Sequence, residues 1–292
     1  MDKIWLKNYP AGVPHEVHPE QYRSAAHMIE DAMRQHAGRP FSVCMEQWMG
    51  YAELDRQSAA LGAWLQGQGL APGARVAIML PNIPQFAVTM AAVLRAGYIC
   101  VNVNPLYTGR ELEHQLKDSG SSAIVILENF AHTLAEVIEH TGVQRVVMAS
   151  MGDLLGFWYG RWITFAVRHL AKMVPAYDLP LSAGRTLVTF RQALSDGARR
   201  TLTASSATLD DTAFLQYTGG TTGLSKGAVL THRNIVAATL QAEAWFTPAL
   251  AKMGDVTKAN SIAALPLYHI FALTLCLLAI RQGSHLTLIP NP

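Results

Sequence analysis

The sequence predicts an α/β fold in which a mostly parallel sheet is covered by helices on both faces. Short apolar runs of strand length alternate with segments whose apolar residues recur at helical spacing, the order expected of successive β-α-β units. Half of the 292 residues are hydrophobic and only 15% are charged, which suits a protein with a large core. A glycine-rich polar segment at 217–227 separates two further apolar runs, and this pattern indicates a strand, a loop and a second strand.

The first half of the chain provides repeated pairs of strand and helix. Leucines recur on one face of 51–66, and Ala96-Gly97 is a typical helix end. Thr108 and Glu111 have the spacing of a capping box, which predicts that a helix begins there. The predicted helices are 51–66, 83–95, 109–119 and 131–140, and the predicted strands are 75–80, 99–103, 123–127 and 143–148.

The segment 154–174 differs from its surroundings because it is rich in Trp, Tyr and Phe. It predicts an inserted, basic, amphipathic helix whose basic residues are Arg161, Arg168, His169 and Lys172. The simpler interpretation is that this helix packs on the domain, and the alternative is contact with a membrane surface or a lipid-delivering partner. Proline, glycine and hydroxyl residues then predict a surface connection over 175–207 with one short helix near 188–195.

A second apolar segment, 261–280, contains no Asp, Glu, Lys or Arg and is long enough to suggest a membrane span. Pro266, Tyr268 and His269 interrupt it in its first half. We therefore predict a short buried strand over 262–265, a turn, and a buried helix over 269–281.

Charge and cysteine content narrow the classes of function. The net charge is +2 and no run of Lys or Arg dominates, so a nucleic-acid partner is not indicated. Cys44, Cys100 and Cys276 are far apart and odd in number, which argues against a disulfide scaffold or a zinc site. The N-terminus lacks the apolar segment of a secretory signal, and a cytoplasmic location is expected.

The segment 217–227 carries the strongest functional signal. Its glycines let the backbone approach a ligand closely, successive N–H groups in such a turn bind anions, and hydroxyls and a lysine add donors and positive charge. The expected ligand is a polyphosphate. The candidate binding residues are Tyr217, Thr218, Gly219, Gly220, Thr221, Thr222, Gly223, Leu224, Ser225, Lys226 and Gly227.

Three other interpretations of this segment were weighed. A Walker A loop requires a hydroxyl residue after the lysine and then a helix, whereas Gly227 and a strand-like run follow Lys226. Gly223 to Gly227 satisfy G-x-S-x-G, but a hydrolase elbow places its serine on a sharp turn from strand to helix. A hairpin without a ligand normally has two to five loop residues, fewer than this segment has.

Several segments together resemble the bacterial long-chain fatty-acid–CoA ligases of the adenylate-forming superfamily. Gly219-Gly220 points to the long-chain branch, and Ser225 departs from the proline that many members have before the loop lysine. The resemblance covers the chain nearly end to end. The segments that carry it are 5–17, 103–116, 214–226, 230–234 and 265–273.

The resemblance implies the large N-terminal domain of the adenylate-forming fold, incomplete at its C-terminus. On this basis 1–207 is expected to be a first α/β subdomain and 208–292 the phosphate loop and the start of a second. Family members are much longer, and their Tyr-Gly-x-Thr-Glu motif and C-terminal lid are not found here. The chain is therefore expected to be a fragment, inactive alone, and no metal ligand is assigned.

The resemblance also implies a reaction. ATP and Mg²⁺ would activate a long-chain fatty acid as acyl-AMP, and coenzyme A would then form the thioester. His269 is the candidate catalytic residue beside the acyl carboxylate, and the alternative is a core histidine. Open alternatives are a medium-chain or aryl-acid ligase and a non-catalytic, truncated protein that binds nucleotide or lipid. A homodimer and peripheral contact with the inner face of the cell membrane are further expectations.

Overall fold

The computed structural model describes residues 3–181, 184–218, 225–254 and 259–290. Within these ranges the chain forms two sheets with helices packed against them, so the predicted α/β class is confirmed. The strands are β1 (Pro40–Cys44), β2 (Gln47–Gly50), β3 (Arg75–Met79), β4 (Ile99–Asn102), β5 (Ser121–Leu127), β6 (Arg145–Ala149), β7 (Thr186–Thr189), β8 (Thr212–Thr218), β9 (Lys226–Thr231), β10 (Asn260–Ala263) and β11 (His285–Leu288). The α-helices are α1 (Ala25–Gln35), α2 (Tyr51–Gln66), α3 (Pro84–Arg95), α4 (Gly109–Ser119), α5 (Ala131–Val137), α6 (Phe157–Phe165), α7 (Phe190–Gly197), α8 (His232–Leu250) and α9 (Ile270–Gln282).

The larger sheet has the strand order β7-β6-β5-β3-β4-β8-β9. All its neighbouring pairs are parallel except β8 and β9, which are antiparallel. The central strands β3 and β5 are apolar and almost entirely buried because helices cover both faces. The predicted mostly parallel sheet is thus present. Its antiparallel edge pair, β8 and β9, contains both ends of segment 217–227.

The smaller sheet joins the two ends of the described chain in the order β10-β11-β1-β2. Parallel pairing links β10 to β11 and β11 to β1, whereas β1 and β2 form an antiparallel pair. Each sheet therefore contains strands from both sides of residue 207. Strands β8 and β9 follow this residue and belong to the larger sheet, whereas β1 and β2 precede it and belong to the smaller sheet. The division at residue 207 remains a prediction about domains.

Several predicted elements have different bounds in the structure. The helix predicted over 131–140 is α-helical only as far as Val137 and ends in a 3-10 turn. The segment predicted as one helix near 188–195 contains the end of strand β7 followed by α7. The capping box is present: the Thr108 hydroxyl accepts from the Glu111 N–H, and the Glu111 carboxylate accepts from the Thr108 N–H.

The aromatic segment forms α6 and then continues as a π-helix over Ala166–Leu170. It packs closely at one point, where a Cβ on Gly160 would lie 2.1 Å from the Gly152 carbonyl oxygen. Gly160 and Ile163 are the buried residues of α6, while Trp158 is 80% exposed. Only the side of α6 that contains Gly160 and Ile163 therefore packs on the domain.

The apolar segment 261–280 forms the end of β10, a turn and most of α9. The predicted strand over 262–265 is wrong in its bounds and its burial, because β10 ends at Ala263 and both Ile262 and Leu265 are exposed. The cause is that β10 is the outer strand of its sheet. Among the described residues, no helix is both long and apolar enough to cross a membrane.

Candidate functional site

A cavity of about 400 Å³ lies where two parallel strands, β4 and β8, end beside the start of α9. The carboxyl ends of parallel strands are where open α/β sheets bind ligands. Its lining combines amide, phenol, hydroxyl and imidazole groups from both sides of the cleft. The lining residues are Asn102, Asn104, Tyr107, Gln216, Tyr217, Thr218, Tyr268, His269 and Ile270.

The ends of segment 217–227 form an antiparallel ladder at the rim of this cavity. Thr218 at the end of β8 pairs with Lys226 at the start of β9, and Tyr217 pairs with Gly227. Both predicted strands are therefore present. The Lys226 side chain is exposed and, within the described residues, forms no salt bridge with an acidic side chain. Six predicted binding residues lie outside the described part of the chain: Gly219, Gly220, Thr221, Thr222, Gly223 and Leu224.

Helix α4 holds both ends of the loop. The Tyr217 hydroxyl donates to the Asp118 carboxylate, and the Nε2 atom of His114 donates to the Ser225 carbonyl oxygen at 2.9 Å. Burial, reinforced by Asp118, raises the pKa of the Tyr217 phenol, so this hydroxyl keeps its proton at neutral pH. The two contacts hold the end of β8 and the residue before β9 against the same helix.

Gly227 has a packing role beside Tyr217. A Cβ at position 227 would lie 2.9 Å from the Tyr217 ring, closer than two carbon atoms can normally approach. The ring covers the glycine across the antiparallel pair. Sequence analysis included Gly227 for its backbone freedom, whereas the structure adds a steric requirement.

His269 caps α9 on the opposite side of the cavity. Its Nδ1 atom accepts a long hydrogen bond of 3.5 Å from the Phe271 N–H, which in the neutral ring leaves the proton on Nε2. The His269 N–H donates to the Pro266 carbonyl oxygen at 2.9 Å, and its side chain is exposed. The alternative of a core histidine therefore does not describe this residue.

Sequence analysis missed the amides that line the floor of the cavity. Asn102 and Gln216 are buried at the carboxyl ends of β4 and β8, and the Nδ2 atom of Asn102 donates to the Oε1 atom of Gln216 at 3.1 Å. Burial raises the pKa of the neighbouring Tyr268 phenol. A polar residue that ends an otherwise apolar strand is the signal that would have indicated Asn102, whereas two further residues of β8 follow Gln216.

The local structure argues against two of the competing interpretations of the segment 217–227. Strand β9 begins at Lys226, whereas a Walker A lysine opens a helix. Ser225 precedes that strand and therefore does not lie on the turn from strand to helix that a hydrolase elbow requires. His114 contacts the Ser225 backbone carbonyl, so this contact does not activate the serine hydroxyl.

The described residues around the cavity offer few ligands for Mg²⁺. Hard cations prefer carboxylate oxygens, and the Asp118 carboxylate already accepts the Tyr217 hydroxyl. The described part of the chain contains no group of three His, Cys, Asp or Glu residues placed to hold a metal ion. No reaction step through a metal is derived from these residues.

Comparison with known proteins identifies the family. The sequence model of a family described as "AMP-binding enzyme" matches residues 29–292. The chain belongs to this family. A long-chain-fatty-acid–CoA ligase of Escherichia coli O157:H7 is 48% identical to this chain over 294 aligned residues, covering the whole chain and 51% of the relative.

Solved structures agree with this assignment of the fold. A long-chain-fatty-acid–CoA ligase from Archaeoglobus fulgidus superimposes on this chain with a TM-score of 0.74 at 22% identity, covering 97% of this chain and 50% of that one. An anthranilate CoA ligase, AuaEII, in complex with anthranoyl-AMP gives a TM-score of 0.70 at 16% identity, covering 94% and 47%. The fold is thus that of the N-terminal region of adenylate-forming ligases. The chain spans about half the length of the curated relatives it matches.

Proposed function

We propose that this chain supplies the phosphate loop and the acid-facing wall of an ATP-dependent long-chain fatty-acid–CoA ligase. The observation that carries the proposal is the shared cavity, in which the base of the loop at Thr218 faces His269 across the carboxyl ends of β4 and β8. The names of the relatives support a long-chain fatty acid as the substrate. The domain division at residue 207 and a C-terminal lid belong to the same proposal.

The proposed first step is attack of a fatty carboxylate oxygen on the α-phosphorus of ATP, which gives acyl-AMP and pyrophosphate. In this step segment 217–227 holds the terminal phosphates through N–H groups, hydroxyls and the Lys226 ammonium. The Nε2–H of His269 donates to an oxygen of the acid or the adenylate. The contribution of these residues is positioning and charge stabilisation, with no covalent chemistry of their own.

A metal ion and one further substrate complete the proposal. Mg²⁺ accompanies ATP and neutralises phosphate charge when bound, with ligands expected outside the described residues. Coenzyme A then attacks the acyl carbon of the adenylate and releases AMP. A medium-chain or aryl-acid ligase is the nearest alternative, since the solved anthranilate CoA ligase shares this fold.

A second proposed property is peripheral contact of α6 with the inner face of the membrane, from a cytoplasmic location. The supporting observation is that the aromatic side chains of this helix are exposed together with basic groups. Arg161 lies over the Phe157 ring, 5.7 Å from its centre. Aromatic and basic side chains on one exposed helix are typical of helices that lie in a lipid interface. The exposed apolar residues are Phe157, Trp158, Tyr159, Trp162, Phe165, Leu170 and Met173.

The proposed reaction is tested in a chimera in which residues 1–292 replace the matching half of the E. coli O157:H7 ligase. We expect palmitate-dependent exchange of labelled pyrophosphate into ATP. Lys226→Ala should reduce the exchange rate roughly tenfold or more, because a hydrogen bond to a charged group contributes about 1.5–3 kcal/mol. Lys7→Ala, which removes another exposed lysine far along the sequence from the loop, is the matched control.

The acid used in this assay separates the alternatives. Exchange with octanoate or benzoate but not with palmitate would favour another branch of the family. A folded chimera that exchanges with none of these acids would contradict the proposal and leave a non-catalytic binding protein as the better interpretation.

A further inference from the structure

Two buried amides reach from the larger sheet to the connection between β10 and α9. Asn82 follows β3, and its Nδ2 atom donates to the carbonyl oxygens of Ala263 at 2.8 Å and Leu265 at 2.9 Å. Its Oδ1 atom accepts from the Leu267 N–H at 2.7 Å. One side chain therefore satisfies three backbone groups of a single short segment.

Gln216 at the end of β8 holds the next residue of that segment. Its Nε2 atom donates to the Tyr268 carbonyl oxygen at 3.0 Å, and its Oε1 atom accepts from Asn102. The Asn102 carbonyl oxygen in turn accepts from the Gln115 Nε2 atom of α4 at 2.8 Å. A chain of amides thus runs from α4, which also anchors the loop ends, to the residue before His269.

The connection between β10 and α9 depends on these side chains because the smaller sheet provides it with few hydrogen bonds. Among the described strands β10 lies at the edge of its sheet and pairs with β11 alone, and it ends at Ala263. Asn82 is 1% exposed and Gln216 is 4% exposed, so these two amide groups have little access to water. A carboxamide presents an N–H donor and a carbonyl acceptor together without a charge, which is the combination that both sites use.

We propose that Asn82 and Gln216 are positioning residues that align His269 with the phosphate loop across the two sheets. His269 belongs to the connection that leads to the smaller sheet, whereas Thr218 and Lys226 belong to the larger one. The Tyr268 carbonyl held by Gln216 and the Leu267 N–H held by Asn82 immediately precede His269. This proposal rests on the proposed function only where it assumes that His269 contacts the acid or the adenylate.

The test uses Asn82→Asp and Gln216→Glu, which keep each shape and acceptor but remove the donors. We expect amide hydrogen exchange at Leu267 and His269 to accelerate roughly tenfold or more in Asn82→Asp, because two backbone carbonyls lose their partner and face a carboxylate. In Gln216→Glu we expect the ¹⁵N resonances of the His269 ring to shift as its cap to Phe271 changes. Asn8→Asp and Gln192→Glu make the same charge changes at exposed positions and serve as controls.

Amide hydrogen exchange in the buried strand β5 distinguishes a general loss of stability from a local change at the connection between β10 and α9. Accelerated exchange at the connection with β5 unchanged supports positioning. If either variant fails to fold, Gln216→Met, which has a similar length and no amide, provides the same comparison. Unchanged exchange at Leu267 and His269 together with unchanged His269 ring resonances would overturn the proposal.

Activity in the chimera separates this inference from the proposed function. The positioning role predicts a lower kcat for pyrophosphate exchange in both variants, with the KM for ATP nearly unchanged, because the loop itself is intact. An inactive chimera that carries the original amides would count against the proposed function, while the exchange and resonance results would still decide the positioning role.

Discussion

His232 links the start of α8 to the start of α1 through its ring. Its Nδ1 atom accepts from the Ala25 N–H at 3.2 Å, and the residue is 2% exposed. Burial lowers the pKa of this imidazole from 6.5 to about 4, and the nearby Asp211 carboxylate only partly opposes this effect. The unfolded chain therefore binds more protons than the folded chain between these two pH values.

The free energy of unfolding should consequently fall as the pH decreases from 6.5 to about 4, by up to ~3 kcal/mol from this residue. His232→Asn should flatten this dependence, because an amide oxygen can accept from the Ala25 N–H and does not titrate. Urea unfolding at a series of pH values measures how the free energy of unfolding depends on pH in each variant. His18→Asn at an exposed position is the control, and an equally steep dependence in His232→Asn would contradict the prediction.

Single residues illustrate what the sequence could predict about the site. The hydroxyls, glycines and lysine of 217–227 were identifiable because their types match anion chemistry. The contacts of His114 and Asp118 with the loop were not, because they join residues about a hundred positions apart. Asn82 and Gln216 were missed for the same reason, since an amide at a strand end has no local signature of its distant partners.

At the scale of elements, α6 gives the clearest prediction. Burying one large apolar side chain contributes about 1.5–3 kcal/mol, so removing an inserted tryptophan should weaken lipid binding about tenfold or more. We expect Trp158→Ser and Trp162→Ser each to reduce co-sedimentation with vesicles of phosphatidylglycerol and phosphatidylcholine. Added salt should weaken binding further, because Arg161 and Lys172 attract the anionic headgroups.

Trp5→Ser provides the control, since Trp5 is half exposed and lies in the N-terminal 3-10 helix. Equal vesicle binding by all these variants, or binding that ignores the lipid charge, would contradict membrane contact through α6.

Elements with local signals were predicted well, and elements that depend on distant partners were not. The capping box identified the start of α4, and buried apolar runs identified β3 to β6. The strands β1 and β11 were missed because they pair with each other across most of the length of the chain, and β2 was missed because its place depends on pairing with β1. Strand β7 was missed because its residues are largely accessible and lack an apolar pattern.

The whole molecule is closed by contacts between the two ends of the described chain. The smaller sheet pairs β1 with β11, and Tyr51 at the start of α2 reaches α9 and the residue beside β11. The Tyr51 hydroxyl lies 2.7 Å from the carbonyl oxygens of both Ala279 and Ser284, to which it donates. Burial raises the pKa of this phenol well above its usual range, so the hydroxyl remains a donor at any physiological pH.

Tyr51→Phe should therefore lower the free energy of unfolding by about 1–3 kcal/mol, the cost of leaving buried acceptors without their donor. Because the lost contact joins the ends of the chain, we expect hydrogen exchange to accelerate first in β10, β11 and the end of α9, before the central strand β5. Tyr159→Phe, at an accessible position on α6, removes a hydroxyl without this contact and should leave both measurements unchanged. Equal acceleration in β5 and β11 would contradict this prediction. It would mean that the two sheets unfold as one cooperative unit, and that losing the Tyr51 contact does not open the smaller sheet separately.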